Sequence, residues 1–261
     1  TVSGTATEGD FFSFYTESGL IEHELDGKAL TMIEWNDPYL LLGVWDETAN
    51  QGWLSLFNRR QNQEEARWLA PLGVQPWRMT FADENELYIT DANNPQLLHL
   101  TLDLAEFATA TAQLIPSVEI AQDITYVEDD DYRHLFVATA YAQRIDVYDL
   151  NTQSWKDINP ATPLRGGTDL LAPVIGISAS KEVVTLSTTS AWGSLKQSKV
   201  VVATLFDGTV IMLEADSGCL ATIPGGSSLE ISSSISGNEV TFTDVGPQSN
   251  PTLYTDNDGT F

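Results

Sequence analysis

The chain has few cationic residues and almost no cysteine. Its 261 residues contain 12 Lys and Arg against 37 Asp and Glu, which gives a formal net charge of −25. Binding to a phosphate backbone releases counterions only where lysine or arginine replaces them, so we expect no nucleic-acid partner. The same sign argument disfavours anionic membrane surfaces. The single cysteine, Cys219, excludes an internal disulfide framework and a thiolate metal cluster within one chain.

Long apolar runs are also missing. No stretch approaches the roughly 18 apolar residues that span a bilayer, so we expect no membrane insertion. The opening TVSGTATEGD has neither the basic start nor the apolar stretch of a signal peptide. Because the first residue is Thr1, two interpretations stay open, a processed mature chain or a fragment of a longer protein. Low cysteine content with abundant acidic, amide and hydroxyl residues predicts an extracellular or periplasmic bacterial protein.

Recognisable catalytic motifs are absent from the sequence. It contains no nucleophile elbow, Walker loop, H-E-x-x-H helix or dinucleotide fingerprint. The three histidines, His23, His99 and His134, stand without other ligands at metal-binding spacing, which favours packed or surface histidines. We therefore predict no catalytic and no cofactor-binding residues, and a non-catalytic role is favoured over an enzymatic one.

The residues that are present favour a folded β protein. Hydrophobic residues make up 42% of the chain and aromatic residues 10%, enough for a buried core. Runs of four to eight residues, rich in Val, Ile, Leu, Tyr, Phe and Trp, alternate with Asn, Asp, Gly and Pro, as in strands and turns. The most helix-like stretch, LDLAEFATATAQL from Leu102, is predicted as strand, turn and strand because of its place in a repeat.

That repeat occurs four times. Its middle strands read YLLLGVWDE, ELYITDANN, HLFVATAYA and VVVATLFDG, and its third strands read WLSLFNRR, LLHLTLDL, RIDVYDLN and TVIMLEAD. An extra segment that resembles a third strand, FSFYTESGLIEHELDG, begins at Phe12. The third strands start near residues 12, 54, 97, 145 and 210, and the first three spacings of 42, 43 and 48 residues match a propeller blade. The last spacing, 65 residues, predicts an insertion around SASKEVVTLSTTSAWGSLKQSK.

Acidic residues concentrate at the tips between the first and second strands of the repeats. These tips read Asn36-Asp37-Pro38, Asp83-Glu84-Asn85, Asp129-Asp130-Asp131 and Ser180-Lys181-Glu182. Short acidic side chains bond their own backbone and tolerate turn geometry. Much of the negative charge is therefore interpreted as turn chemistry on a solvated surface.

The repeats resemble the YVTN, NHL and PQQ-type repeats of bacterial β-propellers. The resemblance is best from Glu86 to Leu104 and from His134 to Thr152, and it covers roughly residues 28 to 224. It implies an all-β propeller, and four repeats plus one blade shared by the two chain ends would make about five four-stranded blades. It implies no particular activity, because propellers host many functions on one scaffold.

The two ends of the chain suggest how a last blade is completed. We predict that residues 1–223 hold an N-terminal strand and four blades, and that residues 224–261 close the propeller or begin a small Ig-like unit. The final TDNDGTF resembles a strand-turn-strand of carboxypeptidase-regulatory-like and Ig-like domains, and it would continue sensibly into TVSGTATEGDFFSF at Thr1. Either this continuity is a coincidence of generic β sequence, or strands from both termini share the last blade.

Acidic residues also supply the only candidates for a metal or catalytic site. Asp256 and Asp258 in the DNDG turn resemble the start of a calcium loop, but the chain ends before a distal glutamate, so a turn without metal is favoured. For an enzyme, the acids near blade tops would be the channel carboxylates of a hydrolase. Those acids are Asp46, Asp91, Asp123 and Asp207.

The preferred prediction is a non-catalytic, extracytoplasmic propeller that binds or scaffolds another protein, or further copies of itself in a larger assembly. One alternative is a hydrolase or lactonase that uses channel carboxylates, with or without calcium. Another is a carbohydrate-binding propeller in which exposed tryptophans line glycan pockets, although core packing is the default for the seven tryptophans. A small-molecule or glycan ligand is compatible with either alternative.

Overall fold

The computed structural model describes most of the first half of the chain and parts of the second. Described are residues 11–16, 19–117, 119–139, 144–156, 173–180, 183–188, 195–206, 208, 210–216, 218, 221–222, 229–233 and 240–244. The chain divides into two compact units, residues 1–124 and 125–261, with the boundary inside one strand. In the described residues, no helix is long and apolar enough to cross a membrane.

The first unit contains a hairpin and two four-stranded antiparallel sheets. The hairpin pairs β1 (Phe11–Thr16) with β2 (Gly19–Glu24). The first sheet has the order β3 (Lys28–Glu34), β4 (Tyr39–Asp46), β5 (Gln51–Asn58) and β6 (Gln63–Leu69). The second has the order β7 (Pro76–Asp83), β8 (Glu86–Asp91), β9 (Gln96–Thr101) and β10 (Ala112–Pro116), with a short 3₁₀ turn, Phe107–Thr109, before its last strand.

The second unit continues the pattern with a third and a fourth sheet. The third has the order β11 (Ala121–Asp129), β12 (Tyr132–Thr139), β13 (Ile145–Asp149) and β14 (Ser154–Trp155). The fourth has the order β15 (Val174–Ala179), β18 (Val200–Leu205) and β19 (Val210–Glu214). Between β15 and β18 the chain forms β16 (Val184–Thr188) and β17 (Leu195–Ser198), and β16 also pairs with β20 (Ala221–Thr222). A separate hairpin pairs β21 (Leu229–Ser233) with β22 (Val240–Asp244).

The four repeats of the sequence are thus confirmed as four antiparallel sheets. All four predicted middle strands (β4, β8, β12 and β18) and all four third strands (β5, β9, β13 and β19) form at the expected positions. The predicted insertion in the last repeat is the β16–β17 hairpin. The helix-like stretch from Leu102 begins just after β9 ends and forms a turn, a short 3₁₀ helix and the start of β10. Its predicted second strand is confirmed, whereas its predicted first strand is wrong because β9 ends at Thr101.

Two other details of the prediction were wrong. The segment from Phe12 forms two strands rather than one, because β1 and β2 pair with each other as an antiparallel hairpin. The fourth repeat has no simple tip at Ser180. After β15 ends, the chain forms the inserted hairpin, and it rejoins the fourth sheet after Lys199 as β18. The Ser180 amide and the Val200 carbonyl join the two sides of this opening at 2.8 Å.

Burial changes systematically across each sheet. The middle strands are buried almost throughout, with Leu41, Leu42 and Val44 fully inside, because both faces of these strands pack against other residues. The first strands combine buried and half-buried residues, and in the fourth strands about half of the residues are exposed. A strand that is buried on both faces has a continuous run of apolar residues instead of an alternation of apolar and polar residues, which explains the sequence YLLLGVW.

Alternate residues of the first sheet enter two separate cores. Leu41, Leu54 and Trp68 pack with Leu87 and Ile89 of the second sheet. The opposite face of the first sheet buries Leu40, Leu42, Val44, Trp53 and Phe57. In the second unit a third core joins the sheet of β11–β14 to that of β15, β18 and β19 through Phe136, Val147, Val201 and Leu213.

Candidate functional site

An open groove lies where the tips of the first two sheets meet. One wall is the end of β3 and the β3–β4 tip, and the other is the end of β7 and the β7–β8 tip. The groove encloses about 350 Å³. It is lined by Glu34, Trp35, Asn36, Phe81, Ala82, Asp83 and Glu84. We call it the tip groove.

Hydrogen bonds hold both walls of the tip groove in place. The Trp35 indole Nε1–H donates to the Glu84 carbonyl oxygen at 2.8 Å and so ties one tip to the other. The Trp35 ring is buried and packs at 6.4 Å from both Tyr39 and Phe107. The Asp83 carboxylate accepts from the Glu84 amide at 2.7 Å. The groove is therefore formed before any ligand arrives.

The charges around the tip groove are mixed but negative on balance. The Arg59 guanidinium donates to Glu34 at 2.7 Å and to Asp37 at 2.9 Å, and Arg60 also donates to Asp37. The carboxylate side chains of Glu34 and Asp37 nevertheless stay 56% and 58% exposed. Three carboxylates, those of Glu34, Asp83 and Glu84, line the groove, and Asp37 stands next to it on the β3–β4 tip. The four carboxylates outnumber the two guanidinium groups, so the local charge is negative.

Asp91, one of the acids considered for a hydrolase channel, is bonded within the turn that follows β8. Asp91 is fully buried, and its two oxygens accept from the amides of Gln75 and Asn93 and from the side chains of Asn94 and Gln96, at 2.8 to 3.0 Å. A carboxylate so saturated cannot join an exposed catalytic pair.

Two of the remaining hydrolase candidates are also bonded locally. The Asp46 carboxylate caps the β4–β5 turn through the amides of Thr48 and Ala49. Asp123 accepts from the Ile124 amide at 2.9 Å, and Asp207 lies outside the described residues. Asp46 and Asp91 thus bond the turns that follow β4 and β8, whereas Asp123 lies inside β11 and bonds the next amide of that strand.

The calcium candidates Asp256 and Asp258 also lie outside the described residues, so they stay a prediction. The other acidic run, at 129–131, forms the β11–β12 tip, where the Asp129 carboxylate accepts from the Asp130 amide at 2.9 Å. Within the described ranges, no group of three or more His, Cys, Asp or Glu side chains is placed to hold a metal ion.

The tryptophans follow the core-packing interpretation where they are described. Trp35, Trp45, Trp53 and Trp68 are buried, whereas Trp77 and Trp155 are half-buried. Trp192 lies outside the described residues. Trp68 donates its indole N–H to the Ala110 carbonyl at 2.8 Å and so joins the first sheet to the second, as Trp35 does.

His134 is a packed histidine in a buried network of the second unit. Its Nδ1 lies 2.8 Å from the Ala215 carbonyl oxygen and its Nε2 lies 3.2 Å from the Lys156 ammonium. A carbonyl only accepts, so Nδ1 carries the proton and Nε2 accepts from Lys156. Lys156 also donates to the Asp216 carbonyl at 2.7 Å, and the ring stacks on Tyr132 at 5.0 Å. The network links the third sheet to the end of β19.

This network predicts a pH-dependent stability. Burial lowers the pKa of His134 below 6.5, the hydrogen bond to Ala215 opposes this, and the Lys156 charge adds to the lowering. The carboxylates that act on the ring, Asp149 and Asp216, oppose the lowering more weakly. The unfolded chain therefore binds more protons just below pH 6.5, so the stabilisation is complete above that pH and is lost as pH falls.

We expect the free energy of unfolding to fall more steeply in wild type than in His134→Gln between pH 7 and 5, by at most about 1.4 kcal/mol per pH unit. Urea unfolding at several pH values measures this difference. If the difference in unfolding free energy between wild type and His134→Gln does not change with pH, this result would contradict a neutral, buried His134.

Sequence reasoning missed the two arginines of the tip groove and the linking role of the indoles. Arg59 and Arg60 follow a third strand as the dipeptide at the end of WLSLFNRR, but their acidic partners lie more than 20 residues away. The one sequence signal for these ion pairs was the Arg-Arg dipeptide itself, which follows a third strand in a chain whose tips are acidic.

Comparisons with known proteins identify the fold and leave the family open. No protein-family profile and no curated protein matches the chain. The chain is similar to the solved structure of BBS1N in complex with ARL6DN, at 12% identity and a TM-score of 0.52, over 87% of this chain and 78% of that one. It is also similar to dihydro-heme d1 dehydrogenase NirN in complex with DHE, at 10% identity and a TM-score of 0.55.

The second similarity covers 86% of this chain but only 45% of that chain, so this protein spans less than half its length. Both matches are to β-propellers. At such low identity they establish architecture alone. With the four antiparallel sheets, they confirm that this all-β chain has a β-propeller fold.

Proposed function

We propose that this propeller is a protein-binding module that holds a cationic segment of another protein in the tip groove. The observation that carries the proposal is the groove itself, which is lined by three carboxylates and by the aromatic residues Trp35 and Phe81, between two blades. An arginine or lysine side chain fits both features, because carboxylates bind its charge and aromatic rings pack on its stem.

The overall charge of the protein also supports binding of a cationic partner. A net charge of −25 steers cationic partners towards the protein and raises their association rate at low salt. The similar BBS1N structure is a complex with a protein, which makes binding through this architecture a reasonable proposal here. Binding in the tip groove requires no cofactor.

The finer predictions from the sequence belong to the same proposal. We infer repeats of the YVTN, NHL or PQQ kind, on the strand and turn patterns of the second and third blades. We also propose a non-catalytic, extracellular or periplasmic role within a larger assembly, with a fifth blade built from the terminal hairpins. The scarcity of cysteine and the acidic, polar composition support this location.

The test measures binding of a labelled peptide, GGRGRGG amide, by fluorescence anisotropy. We expect Glu34→Gln/Glu84→Gln to weaken binding about tenfold, which corresponds to about 1.4 kcal/mol for two charge-assisted contacts. The matched control is Asp130→Asn/Asp131→Asn, which has the same net charge but changes exposed acids at the β11–β12 tip, outside the tip groove. Wild-type binding should also fall as salt rises from about 20 to about 200 mM.

Equal weakening in both double variants would contradict the proposal. It would mean that the peptide responds to the total charge of the protein and not to the tip groove.

A further inference from the structure

The end of the first sheet opposite the tip groove presents an apolar surface. There the β6–β7 connection follows the end of β6, and three of the four residues from 69 to 72 are exposed and apolar. Leu69 is 61% exposed, Leu72 is 75% exposed, and Pro71 between them is also exposed. We call Leu69, Pro71 and Leu72 the leucine ridge.

The leucine ridge sits on a rigid connection. The Ala70 amide donates to the Gly52 carbonyl at 3.0 Å, and the Gln51 side chain donates to the Ala70 carbonyl at 2.7 Å. The Gly73 amide donates to the Asn50 carbonyl at 3.2 Å. These bonds fix the connection to the β4–β5 turn and the start of β5.

The neighbouring blade fixes the same connection from its other side. The side chains of Asn93 and Asn94 both donate to the Gly73 carbonyl, at 3.1 and 3.2 Å. The buried Asp91 carboxylate accepts from the Gln75 amide at 3.0 Å.

The turn geometry explains why Leu72 stays exposed. The Val74 amide donates to the Pro71 carbonyl at 3.0 Å, and Gly73 has φ +81°. This combination is a type II turn, in which glycine supplies the positive φ and Leu72 occupies the preceding corner. A Cβ on Gly52 would lie 2.3 Å from the Val74 carbonyl oxygen, so the turn lies directly against β5. Leu72 cannot fold back without breaking these contacts.

A fixed apolar surface favours association. Exposed leucines release water when a partner covers them, and this release favours association. Because the connection is already ordered, binding costs little conformational entropy.

The surrounding charges select the partner. Asp26 and Glu47 lie at this same end of the sheet, and their side chains are 78% and 66% exposed. They bridge to Arg67 and Lys28, and they stand on a protein of net charge −25. A second copy of the chain would bring the same excess of negative charge, whereas a cationic partner would be attracted.

We propose that the leucine ridge is a second docking surface, which takes an apolar face flanked by lysine or arginine on a partner protein. The two surfaces lie at opposite ends of the same sheet, so the propeller can hold two partners at once. This inference does not depend on the tip groove.

Isothermal titration with two peptides of equal charge tests the proposal. The probe is KLLKLLKKLLKLLK, and the reference is KSSKSSKKSSKSSK. We expect the leucine peptide to bind wild type at least about tenfold more tightly than the serine peptide, and Leu69→Ser/Leu72→Ser to abolish that difference. The matched control is Leu104→Ser, which changes a leucine that is 49% exposed near the tip groove. This variant should retain the difference in affinity between the two peptides.

Both substituted leucines are exposed, so thermal unfolding of the double variant should match wild type, and Leu72→Ala alone should reduce the preference for the leucine peptide. The preference should also survive Glu34→Gln/Glu84→Gln, which separates this surface from the tip groove. Equal affinity for both peptides, or equal loss in Leu104→Ser, would overturn the proposal. Sedimentation that shows a dimer broken by Leu72→Ala would overturn it in favour of a second copy.

Discussion

Replacing Trp68 by alanine is expected to lower the free energy of unfolding by about 3 to 5 kcal/mol. The Trp68 ring is 4% exposed and packs in the core between the first two sheets. Its indole N–H is the donor that reaches Ala110 ahead of β10. The substitution therefore opens a cavity and also removes a bond between two blades.

Two variants separate these contributions. Trp68→Phe keeps most of the volume and loses the hydrogen bond, so we expect a loss of about 1 kcal/mol. Trp77→Ala removes the same kind of side chain from a half-buried position, where Arg78 covers the ring at 4.7 Å, and should cost much less than Trp68→Ala. Urea unfolding followed by circular dichroism measures all three. Equal losses for Trp68→Ala and Trp77→Ala would contradict the packing described for the first two blades.

Replacing Asp91 by alanine is the second large change, with an expected loss of about 3 to 5 kcal/mol. The carboxylate is fully buried and accepts four hydrogen bonds, two of them from backbone amides. Alanine leaves those amides without their acceptor. It also releases the Gln75 end of the β6–β7 connection.

The matched control for Asp91 is Asp46, which ends the equivalent strand of the preceding blade. Its carboxylate caps a solvent-exposed turn through two amides, so Asp46→Ala should cost about 1 kcal/mol. Asp91→Asn keeps one acceptor oxygen and should fall between the two alanine variants. A small loss for Asp91→Ala would mean that this carboxylate is not a structural anchor.

The strands and their repeat could be predicted because their signals are local. A middle strand such as YLLLGVWD is buried on both faces and is bounded by Asn, Asp and Pro, so composition and spacing identify it. The acidic tips followed from the same local chemistry, since the Asp83 and Asp129 carboxylates bond the next amide in the chain.

The tip groove and the leucine ridge could not be predicted because they depend on residues that are distant in the sequence. Asp37 bonds Arg59 and Arg60 instead of its own backbone, across a separation of 22 and 23 residues. Similarly, the buried Asp91 carboxylate accepts a hydrogen bond from the amide of Gln75, 16 residues earlier in the chain. No pattern within one strand shows that two tips meet in a groove or that Leu72 is held outward.

A heteronuclear NMR titration of the protein with GGRGRGG amide tests the central proposal most directly. The Trp35 indole N–H, which donates to Glu84 at the floor of the tip groove, is the reporter. We predict that the largest saturable shifts occur at this indole and at the amides of Asn36, Asp83 and Glu84, and that they disappear in Glu34→Gln/Glu84→Gln. Small shifts spread over the whole acidic surface, with the Trp35 indole unchanged, would contradict a protein-binding site in the tip groove.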